Sequence, residues 1–367
     1  MSAVNSNEKP ITLRTMGSFA FGGTVTQKED GVTFHGEHGY TQYFVPQDAT
    51  DYPVILWHGL GVCGTCFESA PDGREGFWQM FQRNDVPVYI IDQPRRGRAS
   101  YTATEVDWTA RIPVEDNEAV MWETYRYGTW RPPHGATYYP GSQGPRTGYA
   151  IDQMFRRQTP NHGKENTSQE IITLMTDSMG DLLEKAGPSI LFSYSHSGKY
   201  GWYSAVRHPE NVAGILSYEP GQCLFPDDLD LGPIESPNAN IRVDMTQFYC
   251  PREQWMNLTK FPIRIFYGDY INKTPTESYG DEVWRISTVF AEKFAALINE
   301  NGGDAKVIYL PEHGITGNGH TAFSEANNKE VFDLVLNTMK EAGMTTKNHP
   351  YTGPVFPTGG EISIPME

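Results

Sequence analysis

The arrangement of apolar and polar positions changes character several times along the chain, and each change predicts an element. Residues 11 to 45 alternate apolar and polar in short runs broken by Gly22-Gly23, Gly31 and Gly36, which predicts antiparallel strands at the start of the domain. Pro53-Val54-Ile55-Leu56-Trp57-His58 is then an apolar run that stops at Gly59-Leu60-Gly61, the pattern of a strand buried on both faces. Val86 to Ile91, Ser189 to Phe192, Val212 to Ser217, Pro262 to Tyr267 and Ala305 to Leu310 repeat it. Helices are predicted over about 75–84, 168–185, the stretch after Gly198, 281–301 and 324–342. Strands alternating with helices in this way predict an α/β fold with a doubly wound, mostly parallel sheet.

Two stretches break the alternation. Residues 100–165 carry Trp108, Trp122, Tyr125, Tyr127, Trp130, Tyr138 and Tyr139, and residues 222–260 carry Phe225, Phe248, Tyr249 and Trp255. Long irregular segments this rich in aromatics suit lids or pocket walls, here as insertions in one domain spanning residues 1–367. The proline-rich tail beyond Lys347 is expected to lie extended over the surface.

Composition narrows the classes of partner. Hydrophobic residues make up 38% of the 367 and aromatics 13%, enough for a large core with rings left over for a pocket. The formal charge of −16 argues against nucleic acid and anionic membrane surfaces, which would repel the protein. No apolar run reaches the roughly 18 residues that a membrane-spanning helix needs. Met1 to Pro10 is polar and lacks the apolar stretch of a secretory leader, so the expected location is cytoplasmic. Four cysteines are too few for a disulfide scaffold, and Cys63-x-x-Cys66 lacks a second pair or a nearby histidine to complete a zinc set. Free thiols or one local disulfide are expected there, with no metal and no cofactor.

The chemistry is concentrated in Leu191-Phe192-Ser193-Tyr194-Ser195-His196-Ser197-Gly198, where a buried strand breaks into small residues before a helix. A serine at such a turn is forced into a strained backbone and presented at the top of the sheet, as in a nucleophile elbow. The strand and helix pass so close that the positions two before and two or three after the nucleophile must be small. Centred on Ser195 they are Ser193, Ser197 and Gly198; centred on Ser197 or Ser193 they would include Lys199 or Leu191. Sterics therefore select Ser195.

A serine hydroxyl needs a histidine to take its proton, and the histidine needs a carboxylate to fix its tautomer. In doubly wound hydrolases these follow the serine in the order acid, then histidine, on loops at the strand ends. Glu219 in Tyr218-Glu219-Pro220-Gly221 and Asp269 in Gly268-Asp269 both fit as the acid, and spacing leaves the choice open. His313 and His320, at either end of a glycine-rich loop, likewise both fit as the base. Backbone N–H groups for an oxyanion hole would come from His196, directly after the nucleophile, and from Leu60 in the His58-Gly59-Leu60-Gly61 loop, with Gly61 next in line.

Taken together, these segments resemble the α/β-hydrolase superfamily, and within it the bacterial esterase 713-like group, over nearly the whole chain from about Met16 onward. The resemblance rests on His58-Gly59, on Pro71-Asp72-Gly73-Arg74-Glu75-Gly76 and on Asp92-Gln93-Pro94-Arg95-Arg96-Gly97-Arg98. It rests also on the Ser195 elbow, Tyr218-Glu219-Pro220-Gly221 and Gly317-Asn318-Gly319-His320. It implies Glu219 as the acid and His320 as the base. Tyr194 and His196 stand where that group usually has histidine and glutamine around the serine, and a homodimer is implied by the likeness alone. The implied activity is hydrolysis of a carboxylic ester or lactone of modest size through an acyl-enzyme at Ser195. The same machinery would serve a C–C bond hydrolase or an acyltransferase, and a non-catalytic sensor of a small ligand is the reading from a different class. The arginine-rich segment Asp92–Arg98 is expected to pin its own loop, and Lys199 to be solvated or paired.

Overall fold

The structure, a computed structural model, describes residues 10–27, 29–31, 33–99, 117–162 and 168–358. The alternating N-terminal segment forms β1 (Leu13–Gln27) and β2 (Thr33–Pro46), a long antiparallel hairpin. The first apolar run is β3 (Val54–Trp57), followed by α1 (Phe77–Arg83) and β4 (Val88–Asp92). The first insertion contains α2 (Glu118–Thr124), the small hairpin of β5 (Gly128–Trp130) and β6 (Ala136–Tyr138), and α3 (Gly148–Arg156). Then come α4 (Gln169–Ala186), β7 (Ser189–Tyr194), α5 (Ser197–Arg207) and β8 (Val212–Tyr218). The second insertion holds β9 (Leu224–Pro226), α6 (Ala239–Asp244), β10 (Phe248–Cys250) and α7 (Arg252–Trp255), with β9 and β10 paired in parallel. The chain closes with β11 (Pro262–Tyr267), α8 (Tyr279–Glu300), β12 (Asp304–Tyr309) and α9 (Asn328–Glu341).

Among the described residues eight strands make one sheet in the order β1-β2-β4-β3-β7-β8-β11-β12. It is antiparallel through β1, β2 and β4 and parallel from β4 to β12. The period of two in each strand sorts side chains onto the two faces. Ile55, Trp57, Tyr89, Ile91 and Leu191 face a layer formed by α4, α5 and α8 (Met175, Met179, Trp202, Phe290, Phe294). Val54, Leu56, Val88, Ile90, Ile190 and Phe192 face Phe77 and Phe81 of α1 and Val331 and Phe332 of α9. Burial on both faces is why β3, β4 and β7 read as unbroken apolar runs rather than as alternation.

Two expectations change. The insertions, read as loops, contain short helices and strands, and part of the first builds its own core around Trp122, whose ring lies 4.8 Å from Tyr138 and 5.4 Å from Tyr127. Trp108, with the rest of residues 100–116, lies outside the described residues. The helix expected from Ser324 starts at Asn328, because residues 322–324 first make a 3-10 turn. The tail is extended and tied down, with the Tyr351 and Tyr89 hydroxyls 2.5 Å apart and Val355 N–H donating to the Lys185 carbonyl at 2.8 Å.

The chain steps from β3 to β4 on one side and crosses to β7 on the other, so the strand order reverses between β3 and β7. In open α/β sheets ligands bind beyond the carboxyl ends of the strands at such a reversal. The loop at residues 58–61 and Ser195 both occupy that position.

Candidate active site

Ser195 directly follows β7 with φ 56°, in the left-handed region, and is partly exposed, whereas its neighbours Ser193 and Ser197 are buried. The three serines divide the work by geometry. Ser193 Oγ lies 2.8 Å from Ser217 Oγ, linking β7 to β8. Ser197 Oγ accepts from Tyr194 N–H at 2.9 Å and reaches the Trp57 carbonyl at 3.0 Å, tying the elbow to β3. Ser195 N–H donates to the Tyr218 carbonyl at 2.9 Å, and the Ser195 carbonyl accepts from Gly198 N–H at 3.0 Å as the chain turns into α5.

Glu219 occupies the corresponding place one strand over, at the end of β8, also with positive φ (45°) and fully buried. Its two oxygens take four donors. Oε2 lies 2.5 Å from His320 Nδ1 and 2.9 Å from Arg126 Nη1; Oε1 accepts from Gly268 N–H at 2.7 Å and from Arg126 Nη2. Desolvation alone would raise this carboxyl, but the Arg126 charge and the His320 hydrogen bond outweigh it and hold the group at about 2. Burial moves the His320 imidazole the other way, below its ordinary value; Glu219 opposes that shift and Arg126 adds to it. Asp269 is engaged elsewhere: its carboxylate accepts from Gly317 N–H at 3.0 Å and Tyr270 N–H at 2.7 Å, and its carbonyl accepts from Arg126 Nε at 2.9 Å. His313 is exposed, while His320 is buried with Glu219. Of the competing acids and bases, the structure thus brings together Glu219 and His320.

The His320 loop is packed from all sides. Trp284 of α8 lies 4.0 Å from the imidazole, centroid to centroid, and the Tyr194 ring 4.8 Å from it, so His320 sits beside the residue that precedes Ser195. His320 N–H donates to the Tyr125 carbonyl at 2.9 Å. Gly319 allows this approach, because a Cβ there would lie 1.9 Å from that same oxygen. Glu325, buried and raised to about 7 by desolvation, accepts from Gly319 N–H (3.0 Å), Asn318 Nδ2 (3.0 Å) and the Thr321 hydroxyl (3.1 Å). Arg74 clamps the next turn, donating to the Glu325 and Ala326 carbonyls and to Asn328 Oδ1.

On the β3 side, a Cβ on Gly59 would come within 3.1 Å of the Ser195 Cβ and 2.8 Å of the Tyr194 ring, so the 58–61 backbone runs directly against the elbow. His58 holds that loop: Nδ1 contacts the Gly59 carbonyl at 3.0 Å and Nε2 accepts from Gln93 N–H at 3.2 Å. Burial and the Arg96 charge push His58 down to about 4, so it is a neutral anchor. Leu60 itself carries an exposed side chain. The His196 ring is in reach of Lys199 Nζ (2.8 and 3.0 Å) and the Tyr200 hydroxyl (3.3 Å). Lys199 is therefore paired and buried rather than solvated, and desolvation lowers it to about 7. Asp92 pins its loop by accepting from Gly64 N–H and from both the backbone and the side chain of Arg98. Cys63, Cys66, Cys223 and Cys250 are buried free thiols. Among the described residues no group of three or more His, Cys, Asp or Glu is arranged to hold a metal ion, and no helix is long and apolar enough to cross a membrane.

Arg126, Trp284 and Glu325 are the site residues that sequence reasoning missed. Arg126 lies between two tyrosines of an insertion with no periodicity to flag it, and its φ of 56° marks a turn that the sequence does not signal.

This is the fold of an α/β-hydrolase, with a serine elbow at the strand reversal and a buried carboxylate–imidazole pair beside it. The structure is similar to that of a bacterial esterase, with a TM-score of 0.71 and 26% identity over 92% of this chain and 99% of that one. The sequence is 27% identical over 318 residues to a probable secreted lipase of Fungal sp. (strain ATCC 74256), covering 81% of this chain and 84% of the relative. That relative is named as secreted and lends no support to the cytoplasmic expectation. No family model matches the sequence.

Proposed function

We propose that this protein is a serine hydrolase that cleaves small carboxylic esters or lactones through an acyl-enzyme at Ser195. The observation that carries the reading is the strained Ser195 at the end of β7 together with a buried Glu219–His320 pair from the loops after β8 and β12. Glu219 occupies Nδ1 of His320, which leaves Nε2 to accept the Ser195 proton as Oγ attacks the carbonyl carbon. The pair then stabilises the imidazolium, and His320 returns the proton to the departing alkoxide. In a lactone that alkoxide remains tethered to the acyl group. Water, deprotonated by the same imidazole, cleaves the acyl-enzyme.

The developing oxyanion would be held by the N–H groups of Leu60 and His196, with the N-terminal end of α5 adding its dipole. The close approach of Gly59 to Ser195 supports this use of the loop. The similarity to a bacterial esterase and a lipase supports ester hydrolysis as the reaction class.

Short-chain p-nitrophenyl esters should be hydrolysed, and a fluorophosphonate should label one site, read by peptide mass as Ser195. Ser195→Ala should abolish labelling and lower kcat on the order of 10^4- to 10^6-fold. Labelling at another residue, or hydrolysis that survives Ser195→Ala, would refute the assignment.

A further inference from the structure

Arg126 is buried, and it turns both terminal nitrogens of its guanidinium on Glu219, the acid of the site. Its Nη1 and Nη2 both donate to Glu219 and its Nε donates to the Asp269 carbonyl, so all three nitrogens are bonded to the loops after β8 and β11. The guanidinium also lies 5.0 Å from the Trp284 ring that covers His320. The residue before it, Tyr125, accepts the His320 backbone N–H. Two consecutive residues of the first insertion therefore grip both members of the Glu219–His320 pair, one by its side chain and one by its backbone.

We propose that Arg126 is a positioning residue for this reaction: through it the insertion fixes the Glu219 carboxylate and shares its negative charge with His320. This rests on the reading of Glu219 and His320 as acid and base. A carboxylate facing a lone imidazole gives that imidazole its full charge and strengthens its hold on a proton. Here a permanent cation sits on the same carboxylate, so the imidazolium gains less and His320 remains a free base further into the acid range. The other groups facing the pair do not replace it. Tyr218, Tyr194 and Tyr267 are raised phenols and stay neutral, and Glu325 is turned to the backbone and side chains of residues 318–321. The Asp269 carboxylate is turned to Gly317 and Tyr270.

The test compares Arg126→Lys and Arg126→Met in the full-length protein. It uses the pH profile of kcat/KM on a neutral ester and an NMR titration of the His320 ring. Arg126→Met should move the acid limb up by about one pH unit, so that activity at pH 5 relative to pH 8 falls about tenfold. Arg126→Lys keeps the charge without the fork, so its limb should stay near that of the parent while kcat falls with KM little changed. A merely structural arginine would lower stability in both variants and leave the limb in place, and that result overturns the proposal. If Arg126→Met does not fold, Arg126→Lys decides: a fall in kcat with KM little changed supports the proposal, and a kcat equal to the parent's overturns it. The titration is read without turnover, so it stands even if fluorophosphonate fails to label Ser195, the outcome that would sink the hydrolase reading instead.

Discussion

Ser195 and Glu219 sit at the ends of neighbouring parallel strands, and both have positive φ. Non-glycine residues are held there only at a cost of roughly 1–3 kcal/mol each. Strain of this kind persists where the surroundings over-determine the backbone, and they do. Ser195 N–H is bonded to the Tyr218 carbonyl and Glu219 N–H to the Phe266 carbonyl, so each turn is stitched to the strand beside it. The two strained turns are held in one line across the sheet. Ser195→Gly and Ser195→Ala should separate strain from chemistry, because both delete the hydroxyl but only glycine relaxes at φ 56°. The glycine variant should be the more stable by about 1 kcal/mol in urea unfolding, after allowing for the greater freedom of its unfolded chain. Equal stability of the two would show that the elbow is not strained.

At the level of elements, the loop between β12 and α9 carries the most constraint. Glu325 gathers N–H and O–H donors from residues 318–321, and Arg74, from the loop before α1, closes the far side. Glu325→Ala would leave several buried donors without a partner and should cost about 2–4 kcal/mol. It should also lower kcat, because His320 would lose the loop that aims it. Urea unfolding and an ester assay on the same preparation check both; a stability within about 0.5 kcal/mol of the parent would mean that the loop is held by something else. This loop also shows where sequence reading stops. The strands were legible because burial on both faces writes apolar runs, and the elbow because close packing admits only small residues around Ser195. The choice between Glu219 and Asp269 was not legible from spacing, since both end buried strands. It depends on a turn with φ 45° and on which residues cross from a distant insertion. Arg126 lies 93 positions from its carboxylate, a separation that no local pattern encodes.

At the scale of the whole molecule, the buried ionic group joins the first insertion, β8, and the loops after β11 and β12, so its titration couples to global stability. Glu219 is held at about 2 in the fold against an ordinary 4.5, so the unfolded chain binds its proton first as the pH falls. The stabilisation is therefore complete above about pH 5 and is lost as the pH drops through 4.5 toward 2. It amounts to roughly 3 kcal/mol in full, of which about 2 kcal/mol is gone by pH 3. His320 acts in the same direction, since its value is lowered and the unfolded chain again takes the proton first. Glu325 acts in the opposite sense. Raised to about 7, it binds its proton in the fold first, and its contribution is present below about pH 4.5 and lost as the pH rises through 7. Together the three place their combined optimum on the acid side of neutrality, with a steep fall below it. Glu219→Gln should lower the urea midpoint at pH 7, because Arg126 is left buried without its counter-charge. The same variant should flatten the fall between pH 5 and pH 3 by about 2 kcal/mol relative to the parent. Urea midpoints measured across that range in both proteins decide the matter: parallel pH curves would mean that the group the first insertion clamps is not the one whose protonation opens the fold.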